Sequence, residues 1–353
     1  MIIFFLCFIV LCFYKSRFAG LKSFHADYIS KESTNAVNGI FAFLIVMGHF
    51  VTYYTQYSAC DLPYIDVRSF LGQMVVSTFF VYSGYGIYES VKKKGPKYIA
   101  GFPKNRIPKL LLHLDVAVVV FLLLFLILGY EVSPLKFFLS LIGWEYIGNN
   151  NWFVFATLVF YIITFVSFMV FRKNRVLPLI AVSALTVVYI IVIKDFKPTY
   201  WYNSAICFPI GMWYSFFKDG MEKAVMKNNL TYCFSLALSI ALFVGVRCYW
   251  GGFANLTTYL FSCVLFALSI ILITMKIKFG NKILDWLGNH AFSIYMLQRI
   301  PMIILYKTGF LQNQPHISFV ITVLVTMIIA GLFDKLTGFI DCRIFSSKNK
   351  TAS

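Results

Sequence analysis

The sequence predicts an all-α, polytopic membrane protein with about 10–11 transmembrane helices, forming a single membrane domain over residues 1–353. Three observations carry that expectation. Of the 353 residues, 60% are hydrophobic, and the mean hydropathy is +0.78, which is too apolar for a soluble domain of this size. Charge-poor runs of about 20 residues recur along the chain, the length needed to cross roughly 30 Å of hydrocarbon. The runs are continuous rather than alternating, which argues against a membrane β-barrel.

Taken in order, the first run is MIIFFLCFIVLCFY, residues 1–14. It lacks a basic stretch before it and a small-residue cleavage site after it, and its positive charges follow at Lys15, Arg17 and Lys22. It reads as a short, uncleaved additional span with its N-terminus outside. Ten further runs follow at 37–57, 69–91, 110–130, 151–171, 176–194, 203–217, 231–249, 256–275, 288–307 and 318–340. The first and the seventh of the eleven are the shortest. No soluble domain, internal repeat or low-complexity linker interrupts them.

The charges test this layout. If the segment 15–31 is cytoplasmic and the sides alternate, the cytoplasmic segments are 15–31, 92–109, 172–175, 218–227, 276–282 and 335–350. They hold 24 of the 31 Lys and Arg residues. Arg68, Lys136, Lys194, Lys197, Arg247, Arg299 and Lys307 are the remainder. Positive-inside bias of this size supports both the count and the orientation, and it explains the net charge of +17 without a nucleic-acid partner. The eight cysteines show no metal-ligand spacing, so no metal site is expected. There is no Walker A motif, so ATP hydrolysis is not indicated.

Ionisable and polar groups inside a bilayer cost several kcal/mol unless they face a polar interior. His49 lies about 13 residues into its span, and a neutral imidazole can take a proton from a hydroxyl. Asn38 lies 11 residues earlier, close to three helical turns, so both project from one face. The alternative is a structural histidine bonded to a neighbouring helix. In FFVYSGYGIYES, residues 79–90, Ser83, Gly84 and Gly86 permit close helix packing, and Glu89 lies near the cytoplasmic end. KKKGPKYIAGFPKNRIPKLLLH, residues 92–113, is basic and bent by Gly and Pro. Positive-inside bias explains its charge, and a clamp for a phosphorylated cytoplasmic ligand is the functional reading. Asn149, Asn151 and Trp152 at the outer mouth of the fifth run offer amides and an aromatic face suited to carbohydrate, although interfacial tryptophan is common. Gln298 and Arg299 lie deep in the tenth run, where Arg299 should face a polar interior or a counter-charge.

These segments, in this order, resemble the acyltransferase 3 family of integral membrane proteins, which transfer acyl groups mostly to cell-surface sugars. NGIFAFLIVMGHF resembles the family's first core span, with His49 in the histidine position. FFVYSGY, Phe79–Tyr85, is similar to the F-F-V-x-S-G-(F/Y) signature and is the most specific motif. KNRIPKLL resembles the basic loop motif, with Arg106 and Lys109 in its basic positions. NWFVFATLVFY and LGNHAFSIYMLQ resemble two later spans. The resemblance covers about residues 35–307 and extends through the last span, giving an acyltransferase 3-like core over 35–340. The chain departs from the family at Asn38, where an arginine is usual, at Gln298, where a histidine is usual, and at Lys109, where a second arginine is usual.

The resemblance implies an O-acyltransferase, with acetyl the first candidate for the acyl group. Its enzyme class is acyltransferases moving groups other than aminoacyl groups. It implies a cytoplasmic acetyl-CoA (or other acyl-CoA) donor and a hydroxyl acceptor on an exported or lipid-linked glycan, at the plasma membrane. His49 would be the catalytic base or an acyl relay. Asn38, Ser83, Tyr85, Lys104, Arg106 and Lys109 would bind the donor or steady the oxyanion. Asn149, Asn151 and Trp152 would meet the acceptor. The rival class is a transporter or flippase of a glycan intermediate, and a third reading is an inactive paralogue. Oligomeric state is not legible in the chain.

Overall fold

The computed structural model describes residues 1–20, 22–54, 57–249 and 255–345. Lys348, Lys350 and positions 55–56 of the second expected run lie outside them. The described chain is almost wholly helical. It opens with α1 (Ile2–Phe13), α2 (Lys31–Phe50), α3 (Leu62–Leu71), α4 (Met74–Lys94), α5 (Pro96–Ala100) and α6 (Ile107–Ile127). There follow α7 (Pro134–Leu141), α8 (Trp152–Val170), α9 (Leu177–Ile193), α10 (Cys207–Val225), α11 (Asn229–Tyr249) and α12 (Leu256–Lys276). The chain ends in α13 (Lys282–Asn289), α14 (Ala291–Leu297), α15 (Arg299–Lys307), α16 (Phe310–Asn313) and α17 (Pro315–Phe345). The two strands, β1 (Arg17–Phe18) and β2 (Ile277–Lys278), pair antiparallel with Arg17 opposite Lys278.

Side chains set several helix starts. The Ser30 hydroxyl accepts from Ser33 N at 3.2 Å to cap α2. Asn255 caps α12 at 2.9 Å, and Asn281 caps α13 through two backbone amides. Each satisfies a donor that the first helical turn leaves open.

Each of the eleven expected runs falls on a helix or a broken helix. Among the described residues six helices are long and apolar enough to cross a membrane, or seven if the bent pair Ala59–Leu71 and Met74–Lys94 counts as one span. The difference from 10–11 lies in short, bent or broken segments and in α10, which is 19 residues long but carries Lys218, Asp219, Glu222 and Lys223 in its second half. α1 and α9 have 12 and 17 residues. The tenth run breaks into α13, α14 and α15, with gaps at His290 and Gln298. Pro301 explains the second gap, because it has no N–H to return to Leu297 and its ring crowds that carbonyl. The break between α3 and α4 is made by Gly72, whose φ of 50° suits glycine, and the axes there differ by 41°.

The bundle is built around α4. Its closest partner is α10, and α13 makes the corresponding contact with α2. At the α4–α10 crossing a Cβ on Gly84 would lie 2.0 Å from Phe208 O, and one on Gly211 would lie 2.0 Å from Val81 O. The backbones touch, as small residues permit inside a bilayer. Gly86, by contrast, faces open space. Leu123, Ile127, Ile191, Leu324, Ile328 and Leu332 are all exposed on long helices. In water such surfaces would drive aggregation; in lipid they are the solvated surface.

The basic segments gather at one end. β1–β2 pairing and the Lys278–Asp27 ion pair join 15–31 to 276–282. The Lys278 hydrogen bond holds the Asp27 carboxyl below its usual range. Lys218 lies over the Tyr28 ring, Lys92 Nζ donates to Ser215 O at 3.0 Å, and Tyr88 Oη donates to Arg175 O. Lys109 pairs with Asp341 at 2.7 Å. Each of the six segments counted as cytoplasmic from sequence is therefore tied in at this end. Since α4 rises about 1.5 Å per residue, its Lys94 end lies roughly 30 Å from Gln73 at its start. Gln73 marks the opposite end, where His49 also lies.

Candidate active site

His49 is the penultimate residue of α2, and it stands where several helix ends converge. Arg68 comes from the last turn of α3, Gln73 from the α3–α4 bend, Asn150 and Trp152 from the start of α8, and Arg299 from the α14–α15 break. Two cavities meet at the imidazole. The larger, about 450 Å³, runs between Leu44, Tyr64, Arg68, Val75 and Tyr295. The smaller, about 200 Å³, is bounded by Tyr146, Asn150, Tyr200, Trp201 and Arg299. His49, Gln73 and Trp152 line both.

Asn150 Nδ2 lies 3.0 Å from His49 Nε2 and 3.4 Å from Nδ1. Arg68 Nε donates to Gly48 O at 3.1 Å, which fixes its guanidinium beside the imidazole. Arg299 and Arg68 both act electrostatically on His49, and Gln298 lies within reach of the ring. Gln73 N donates to Tyr259 Oη at 3.1 Å, while its buried Oε1 has no partner among the described residues. A histidine between two cavities, with an amide on one ring nitrogen, has the access and the orientation that a general base needs.

The three asparagines divide their work. Asn149 is fully buried; its Oδ1 accepts from Ile147 N at 3.1 Å, and its Nδ2 donates to Asn151 Oδ1. Asn151 borders the smaller cavity but donates Nδ2 to Ser140 O at 3.2 Å and to Glu145 O at 2.7 Å. These two amides hold the loop together, and Asn150, between them, turns the other way onto His49. We expect Asn151→Ala to destabilise the protein by about 1–3 kcal/mol, because a buried and a half-buried carbonyl lose their donor. Asn150→Ala should leave the thermal midpoint unchanged and lower turnover. Unfolding curves and turnover measured on both variants check the division; equal effects of the two on stability would refute it.

The residues expected to serve a donor lie elsewhere. Arg106 and Lys109 line a third cavity of about 370 Å³ at the basic end, with Asn105, His113, Tyr161 and Asp341. Arg106 Nη2 donates to Tyr98 Oη at 2.9 Å. Lys104 is exposed outside this lining. Tyr161 interacts with both Arg106 and Ser83, which ties Ser83 to the basic-end cavity. Ser83 is about 15 Å along α4 from Gln73, so it is not beside His49. Tyr85 turns toward Tyr214, at 6.2 Å between ring centres. Asn38 is partly buried on α2, and its Oδ1 has no partner among the described residues. Gln298 is fully buried, with Nε2 donating to Tyr295 O at 3.2 Å.

The structure thus brings together His49, Trp152, Asn151, Gln298 and Arg299 at one end and Arg106 and Lys109 at the other, with Ser83 midway along α4. Sequence reasoning missed Asn150, Arg68 and Gln73. The Gly72–Gln73 pair at the mouth of a span was the available signal for the last.

A comparison with protein families matches residues 33–335 to the model described as an acyltransferase domain. No curated protein and no solved structure matches the chain.

Proposed function

The chain belongs to this acyltransferase family and is a multi-pass membrane acyltransferase; from that premise we propose that it moves an acyl group from acyl-CoA to a hydroxyl of an exported or lipid-linked glycan. The observation that carries the reading is the placement of His49 between two cavities, with a separate basic cavity toward the opposite end, its Tyr161 wall about 15 Å along α8 from Trp152. The basic end would face the cytoplasm and receive the donor's phosphates at Arg106 and Lys109. Asn38, with its uncommitted amide three turns from His49, would meet the donor's long arm. The membrane in this reading is the plasma membrane, and acetyl is the first candidate for the acyl group.

In the reaction, His49 takes the proton of the acceptor hydroxyl. The oxygen attacks the thioester carbonyl, the C–O bond forms and the C–S bond breaks. The departing thiolate takes up the proton from the imidazolium. Gln73 and Asn150 are the amides beside the ring that would receive the oxyanion. The cluster of Trp152, Trp201, Tyr146 and Tyr200 with asparagine amides gives the acceptor aromatic and hydrogen-bonding surfaces of the kind sugars use.

Purified protein in nanodiscs should bind acetyl-CoA directly. Arg106→Ala should weaken that binding about tenfold or more, the effect of losing a charged hydrogen bond to phosphate. Arg68→Gln, at the far end, should not change it. Undiminished donor binding by Arg106→Ala would remove the basic-end cavity from the donor site.

A further inference from the structure

We propose that the acceptor is an anion: a hydroxylated molecule carrying a carboxylate or a phosphate, held by Arg68 and Arg299 beside His49. This deepens the reading above and rests on it. The two guanidiniums come from different parts of the chain, the end of α3 and the start of α15, and both act on the same imidazole. Their hydrogen-bonding capacity is largely uncommitted. Arg68 spends only Nε, on Gly48 O. Arg299 has a buried Nε without a partner and a single long contact, Nη1 to Gly148 O at 3.5 Å. Among the described residues neither forms an ion pair, and neither cavity is lined by Asp or Glu.

Of the nearby carboxylates, Asp66 is exposed on α3 and lines neither cavity, and two others are already paired. Glu145 pairs with Lys197 at 2.8 Å, and Asp61 pairs with the Met1 ammonium. Two cations in a low-dielectric site without a counter-charge are costly. Arg is the side chain that matches carboxylate and phosphate oxygens with two donors at once. The aromatic and amide wall of the smaller cavity lies beside Arg299, so the charge and the sugar-binding surface share one site. That proximity assigns the anion to the acceptor rather than to the acyl group.

The test uses the full chain in nanodiscs, with acetyl-CoA as donor. The acceptor probes are two matched pairs: a hexuronic-acid oligosaccharide with its carboxyl-reduced form, and a glycosyl phosphodiester with its dephosphorylated form. Binding of each probe without donor is measured alongside transfer. The wild type should favour one charged probe over its neutral partner by about tenfold or more in Kd and KM. That preference should shrink with salt. The pair that shows it identifies carboxylate or phosphate. Arg68→Gln should erase most of the preference while leaving the KM for acetyl-CoA unchanged, and Arg68→Lys should restore part of it. Equal handling of charged and neutral probes would overturn the proposal. So would loss of a preference for succinyl-CoA over acetyl-CoA in Arg68→Gln with no effect of acceptor charge. Selective binding of charged probes without any acyl transfer would instead overturn the acyltransferase reading and leave the anion site standing.

Discussion

Replacing His49 with alanine is expected to lower acyl transfer by about 10²–10⁴-fold, the range that one general base contributes. The expectation follows from position as much as from chemistry. The imidazole borders two cavities and is only partly buried, so its removal enlarges existing space rather than opening a new void in the packed core. Membrane abundance and the thermal midpoint should therefore stay at wild-type values. Donor binding should also persist, because the Arg106–Lys109 cavity lies at the other end of α4. Transfer by the purified variant, read beside its acyl-CoA binding, checks this. Wild-type turnover would remove His49 from the mechanism, and loss of abundance would make it structural.

The second large effect concerns assembly. Gly84→Val should sharply reduce the amount of folded protein in the membrane. A Cβ there would overlap Phe208 O at 2.0 Å, and backbone cannot yield by changing rotamer. Overpacking of this kind costs about 1–3 kcal/mol or more, and here it forces α4 from α10 at the centre of the bundle. Gly86→Ala, two residues on, meets nothing within 4 Å and should fold normally. Abundance and detergent-solubilised melting curves of the two variants make the comparison. A stable Gly84→Val protein would contradict the crossing.

These two sites show what the sequence could and could not convey. Hydropathy and the positive-inside pattern are properties of whole segments, and they located all eleven apolar segments and gathered the basic ones on one side. The breaks at His290 and Gln298 escaped that reading because a hydropathy average over the whole run absorbs the polar pairs Asn289–His290 and Gln298–Arg299; Pro301 was the local signal for the second. The signature FFVYSGY is legible as a motif, but its parts separate in space. Gly84 makes the helix crossing, Ser83 reaches Tyr161 in the wall of the basic-end cavity and Tyr85 turns toward Tyr214. Asn150 could not be told from Asn149 and Asn151 by residue type, since loop geometry alone decides which amide reaches His49. Arg68 looked like a stray charge outside the spans, and only the folded chain shows its side chain reaching Gly48 of α2.

The claim that this chain esterifies a glycan is tested most directly by mass spectrometry of surface glycans from cells with and without the gene. The account predicts an ester-linked acyl group that is present with the gene and missing without it, on a glycan that otherwise reaches the surface unchanged. Identical acylation in both, or disappearance of the glycan itself when the gene is removed, would contradict it.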